Sequence, residues 1–212
     1  MERLGKNISG GNGTRGPAAL QGLRLRFAQA SANAMAAKNG CAFAEGVFSV
    51  PFFNRCFQVR HPEGEVGEPS AGTPPYWLQV IFLYYLTHAP GVPLADRWVA
   101  FRELPNANPF AEGFGEGPLR ELARVYGRDA DGFREACQRL GGEAISRTGD
   151  AAFRFLALPR VALALVLYLA DEEMAATATL LYDAAAGAHL QAEHLNNVGG
   201  YLNAALIASS PR

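Results

Sequence analysis

Asp171-Glu172-Glu173 closes the most apolar run of the chain, Val161 to Ala170. Read as a strand, that run has Asp150 and Asp183 at ends of its two neighbours, so Asp150, Asp171, Glu172 and Asp183 converge on one sheet edge. Hard cations take oxygen ligands, and paired carboxylates split their pKa values. The four are therefore candidate Mg²⁺ or Ca²⁺ ligands, and Asp171, Glu172 and Asp150 are candidate general acids and bases. The plainer alternative is a set of solvated turns, where acids are common.

Arg97 and Arg102 stand beside Trp98 and Phe101, and Arg160 follows Pro159, all in strands or tight connections. A guanidinium fork in that setting binds carboxylate or phosphate. If Arg102 and Arg160 face an open pocket lined by Trp98, Tyr76 or Trp77, the pocket suits an anionic cofactor. Turned inward, the same arginines would pair with Glu103, Asp171 or Glu172 and tie the sheet to its helices. His189, Glu193 and His194 gather at the start of the last helix, but a five-residue step puts the two imidazoles on different helix faces, a poor metal spacing. His88 reads as a capping or hydrogen-bonded residue, and His61 falls in an exposed loop. Cys41, Cys56 and Cys137 have no neighbouring His, and neither Ser49 nor Ser146 sits in an elbow motif, so no nucleophilic triad is legible. Gly11-Asn12-Gly13-Thr14-Arg15-Gly16 matches a dinucleotide fingerprint formally, without the preceding strand that the motif requires.

These groups need elements to position them. Leu20, Leu23, Phe27, Ala30, Ala34 and Met35 fall near helical spacing and predict one helix from Ala18 to Lys38, stopped by Asn39-Gly40. Val47 to Val50 and Arg55 to Arg60 predict a hairpin around Pro51 to Asn54. His61 to Pro75 reads as an exposed loop, ending in a Thr73-Pro74-Pro75 helix start. Trp77 to His88 is apolar nearly all round, which predicts a helix buried on most faces. Arg97 to Leu104 alternates and predicts a strand. Pro118 to Tyr126 and Phe133 to Leu140 predict a helical hairpin, with Asp129 or Asp131 opening its second arm. Period two at Val161 to Ala170, flanked by Ala152 to Leu158 and Ala178 to Asp183, predicts an antiparallel meander. Gln191 to Ile207 predicts a closing helix with Leu195, Val198, Leu202 and Leu206 inward.

Length and charge bound the rest. The 212 residues, 49% hydrophobic and 18% charged, suit one core, and the reading is a glycine-rich disordered tail over 1–17 with a single α+β domain over 18–212. The sheet is expected to be mostly antiparallel, a hairpin plus a C-terminal meander, packed by helices. Nineteen basic against twenty acidic residues give a net charge of −1, which lacks the basic field of a nucleic-acid binder. The first residues lack the apolar core of a signal peptide, and Val161 to Ala170 is too short to span a bilayer, so no membrane association is expected. Three scattered cysteines fit a reducing cytoplasm.

Seven ordered segments carry a family resemblance: Trp98-Val-Ala-Phe-Arg-Glu-Leu-Pro105, Leu140-Gly-Gly142, Gly149-Asp150, Leu158-Pro-Arg160, Asp171-Glu-Glu173, Leu181-Tyr-Asp183 and His189-Leu-Gln-Ala-Glu193. In order and spacing they resemble the prokaryotic family of domain of unknown function 3786, from about Ala30 to the C-terminus. The chain departs from that pattern at Tyr168, Ala170, Met174 and His194. The resemblance implies no fixed activity. Relatives joined to iron–sulfur domains like those of corrinoid proteins imply a setting in tetrapyrrole, corrinoid or one-carbon chemistry.

The expectation is a cytoplasmic small-molecule or cofactor-binding protein whose cofactor the residues do not identify. A carboxylate-dependent metalloenzyme is the first alternative. A structural adaptor that meets a protein partner through an apolar patch is the second.

Overall fold

The computed structural model describes residues 16–69, 71–107, 117–147 and 149–210. The fold is α+β, with one four-stranded and one five-stranded antiparallel sheet. The chain forms two compact units. The first comprises Met1–Pro93 with Leu158–Arg160 and Ala188–Leu190; the second comprises Leu94–Ala157, Val161–Gly187 and Gln191–Arg212. The tail expected over 1–17 lies outside the described residues except for Gly16 and Pro17, which open the first helix.

In the first unit the single helix expected from Ala18 to Lys38 is two, α1 (Gly16–Gln29) and α2 (Ala32–Asn39). The break falls at Ser31, whose extended backbone and Oγ, accepting from the Ala34 amide at 3.4 Å, cap α2. Gly40 ends α2 in the left-handed region, as its sequence position predicts. β1 (Ala42–Ala44), β2 (Val47–Phe52), β3 (Arg55–Arg60) and β4 (Val66–Gly67) then pair in chain order. The predicted hairpin is β2–β3, but Pro51 and Phe52 extend β2, and the turn shrinks to Phe53-Asn54 with Phe53 at φ +53°. β2 buries Phe48, Val50 and Phe52 on one face, the period-two pattern of a half-covered strand. Against them lies α3 (Tyr76–His88), whose Leu78, Ile81, Phe82, Leu83, Tyr85 and Leu86 are all buried. Phe82 meets Phe57 at 4.9 Å and Phe52 at 5.5 Å between ring centroids. Each such ring contributes roughly 2 kcal/mol by leaving water.

In the second unit the sheet order is β5-β9-β8-β7-β6. β7 (Ala151–Leu158), β8 (Val161–Tyr168) and β9 (Thr177–Asp183) form the predicted meander, and β8 is buried at all but its last residue. Small Ala162 and Ala164 alternate with Leu163 and Leu165, so both faces admit close neighbours. The strand expected over Arg97 to Leu104 is shorter: β5 covers Trp98–Ala100, and Phe101–Glu103 coil into one 3₁₀ turn. Glu103 Oε1 accepts from the Ala100 amide at 2.8 Å, a local side-chain bond that competes with the ladder. α4 (Gly117–Tyr126) and α5 (Ala130–Arg139) make the helical hairpin, with Asp129 chosen over Asp131 as the cap, its Oδ1 accepting from the Gly132 amide at 2.8 Å. β6 (Glu143–Ala144) and the one-turn α6 (Ala186–His189) carry too few residues to show a period. α7 (Ala192–Ala208) buries Leu195, Val198, Leu202 and Leu206 as expected.

Candidate ligand-binding site

The meander decides which carboxylates meet. β7 enters and β8 leaves at the same end, so Asp150 lies beside the start of the β8–β9 connection, its Oδ2 accepting from the Leu169 amide at 2.8 Å. Asp171, Glu172 and Glu173 follow on that connection. Asp183 ends β9 at the opposite end, beside Val161 to Leu163, after a strand of seven residues that spans roughly 20 Å. The structure thus brings Asp150 and the Asp171 turn to one end and sets Asp183 apart. Asp183 is buried, and its Oδ1 accepts from the Ala95 and Ala185 amides, both at 2.9 Å. Among the described residues no group of three or more His, Cys, Asp or Glu is placed to hold a metal.

Asp171 is itself engaged by backbone. Its Oδ1 accepts from the Glu173 and Met174 amides at 2.9 and 2.7 Å, which closes a tight turn and holds its carboxyl below the usual carboxylate range. With Glu172, Glu173 and Met174 it lines a cleft of about 600 Å³ whose other lining residues include Arg120, Arg124 and Arg128. Arg124 forks onto Glu121 of its own helix at 2.7 and 2.8 Å. The turn is pinned to the α4–α5 junction by the Ala170 amide, which donates to the Gly127 carbonyl at 2.9 Å.

The predicted cofactor residues divide between the units. In the second, Trp98 is half-buried in β5 and Arg102 is exposed in the 3₁₀ turn. In the first, Arg160 is half-buried, and its Nε donates to the Lys38 carbonyl at 2.7 Å, at the C-terminal end of α2 where a cation is favoured. Tyr76 donates from its hydroxyl to the Gly16 carbonyl, and Trp77 meets the edge of Phe52 at 6.4 Å. His88 is hydrogen-bonded as expected, to Thr87 Oγ1 at 2.7 Å, and stacks on Tyr84. His61 corrects the exposed-loop expectation: its Nε2 lies 3.2 and 3.1 Å from the Phe27 and Ala30 carbonyls at the end of α1. His189 and His194 are both buried, on α6 and α7 respectively.

A polar cavity in the first unit involves residues that no motif marks. It holds about 500 Å³ and is lined by Arg24 from α1, Gln58 and Arg60 from β3, Glu65 to Pro69, Gly72, Thr73 and Gln79 from α3. Its construction starts at Gly64, whose φ of +67° an L side chain rarely adopts and where a Cβ would come within 3.0 Å of Arg24 Cγ. The bare backbone lets the Arg24 stem lie against the turn. One terminal nitrogen of Arg24 then reaches Gln79 Oε1 at 3.5 Å, and Gln79 is itself held by donating to the Pro74 carbonyl at 2.9 Å. Arg24 Nε is shielded from solvent and has no hydrogen-bond partner among the described residues. A second acid of the lining, Glu68, is neutralised by an ion pair with Arg55, itself packed over the Phe57 ring. Among the described residues Arg24 and Arg60, the two cations that line the cavity, form no ion pair.

Sequence reasoning passed over both arginines. Arg24 lies in Leu23-Arg24-Leu25-Arg26-Phe27, a run that reads as an ordinary solvated helix face, and the other wall comes from a segment read only as loop.

A family model described as "Domain of unknown function (DUF3786)" matches residues 31–205. No curated protein and no solved structure matches the chain.

Proposed function

The chain belongs to the DUF3786 family, and from that premise we propose that it is a small-molecule-binding protein that takes up an anionic ligand in the Arg24–Arg60 cavity. The observation that carries this reading is the convergence of Arg24 and Arg60 on one cavity, where Arg24 Nε is shielded and the guanidinium as a whole is held by a single side-chain bond to Gln79. A charged hydrogen bond from the guanidinium to an anion in the cavity is among the stronger ones. Arg60 supplies a second positive charge, while Glu68 is already neutralised. The cavity volume and its lining of arginines, glutamines and threonine suit a small polar anion; none of the described lining residues is an aromatic wall for a tetrapyrrole face. Three free cysteines support a reducing, cytoplasmic setting.

Calorimetric titration with inorganic phosphate and with propionate tests the reading. The wild type binds at least one of the two, and Arg24→Gln weakens that binding about tenfold or more, the scale of one charged hydrogen bond. Wild-type protein that binds neither probe, or Arg24→Gln that binds as well as wild type, overturns it.

A further inference from the structure

We infer that the ligand of this cavity is a small hydroxylated acid, with the acid group on Arg24 and Arg60 and its hydroxyls toward Glu65, Gln58 and Thr73; this rests on the anion reading proposed above. Sorting the lining by what each group already does leads there. Gln79 is engaged at both ends of its amide, and Glu68 is engaged by Arg55. Glu65, Gln58 and Thr73 are exposed, and among the described residues Glu65 forms no ion pair and neither the Gln58 amide nor the Thr73 hydroxyl makes a hydrogen bond. Two guanidinium groups can therefore meet an acid, and one carboxylate, one amide and one hydroxyl remain for the rest of the ligand.

Charge narrows the ligand further. Glu65 and Arg60 both line the cavity at the start of the β3–β4 hairpin, where the Arg60 amide donates to the Glu65 carbonyl at 3.0 Å. A carboxylate at the rim of an anion site repels a second negative charge, which selects against polyanions. It accepts hydrogen bonds from neutral hydroxyls without penalty. An ammonium group on the ligand would gain from Glu65 but lose against two arginines, so hydroxyls are the donors that fit. A ligand hydroxyl that donates to the exposed Glu65 carboxylate makes a charge-assisted hydrogen bond that an analogue without the hydroxyl lacks.

Titration of the full chain with propionate, glycerate and glycerol phosphate reads this out. Glycerate binds about tenfold more tightly than propionate, which has the same acid group and no hydroxyls. Comparison of glycerate with glycerol phosphate tells whether a carboxylate or a phosphate group is preferred; only glycerate against propionate, at a constant acid group, reads the hydroxyl contribution, and tighter binding of glycerate supports the inference. In Glu65→Gln propionate tightens, because a repulsion is removed, and the ratio of glycerate to propionate affinity collapses toward one. Arg60→Gln weakens all three acids together. If the wild type binds glycerate, glycerol phosphate and propionate equally, the hydroxyl inference fails and the anion reading stands. Loss of binding to every probe overturns the anion reading itself, and a glycerate preference undiminished in Glu65→Gln overturns the role given to Glu65.

Discussion

The hydroxyl of Tyr85 donates to the backbone carbonyl of Asn39 at 2.6 Å, and both residues are fully buried. The same oxygen accepts from the Arg160 amide at 3.1 Å. One phenol thus satisfies two backbone groups, while Asn39 Oδ1 accepts from the Cys41 amide at 2.8 Å. Removing the hydroxyl leaves a buried carbonyl and a part-buried amide unpaired without opening a large cavity. Tyr85→Phe is therefore expected to cost about 2 kcal/mol, which lowers the melting temperature by roughly 4–8 °C. Urea unfolding of the variant against wild type measures it, and a change below about 0.5 kcal/mol would mean that the bond contributes little.

Alkaline pH should attack buried thiols and phenols in both units. Burial pushes the Cys41 thiol up to about 12, with Cys56 adding to the shift, and burial also raises Cys137, Tyr85 and Tyr182. Each of these groups is neutral in the folded chain and titrates earlier once unfolded, near 9 for the thiols and 10 for the phenols. Their stabilising effect is complete below about pH 9 and is lost as the pH climbs toward the raised folded values. Urea midpoints should hold steady from about pH 7 to 9 and fall steeply by about pH 10.5. A midpoint unchanged across that upper range would refute the linkage.

Asp183 gives a test of role against position. Its Oδ1 accepts from the Ala95 and Ala185 amides at 2.9 Å each, so Asp183→Ala strands two donors and should cost about 2–4 kcal/mol. Asp183→Asn keeps a carbonyl oxygen and should lose less than half as much. Equal losses in the two variants, measured by chemical denaturation, would show that the charge and not the acceptor matters.

The elements that were legible share long, regular patterns. β8, β9 and α7 have enough residues for a period to declare itself, and Asp129 sits where a cap must. The helix break at Ser31 and the 3₁₀ turn at Phe101–Glu103 turn on single side chains that bond nearby amides, which periodicity does not register. The separation of Asp183 from Asp171 follows from the meander itself, since consecutive antiparallel turns alternate between sheet ends. The candidate site was not legible, because an unpartnered Nε is a property of tertiary packing. Arg160 and Arg24 look alike in sequence, yet one ends on the Lys38 carbonyl and the other has a nitrogen with no acceptor.

Gly127 controls the second unit's cleft. A Cβ there would stand 2.3 Å from Ala176 Cβ and 2.4 Å from the Ala123 carbonyl, both rigid neighbours with no flexible end to yield. Its own carbonyl accepts from the Ala170 amide, so any displacement of Gly127 drags the turn that carries Asp171 and Glu172. Gly127→Ala should therefore destabilise by about 2–3 kcal/mol, the scale of overpacking. Gly22, which faces open space on α1, is the control: Gly22→Ala should be neutral or stabilise by up to about 1 kcal/mol, because alanine is the better helix former. Paired denaturation curves decide it, and a Gly127→Ala variant as stable as Gly22→Ala would show that the α4–α5 junction yields to a methyl group.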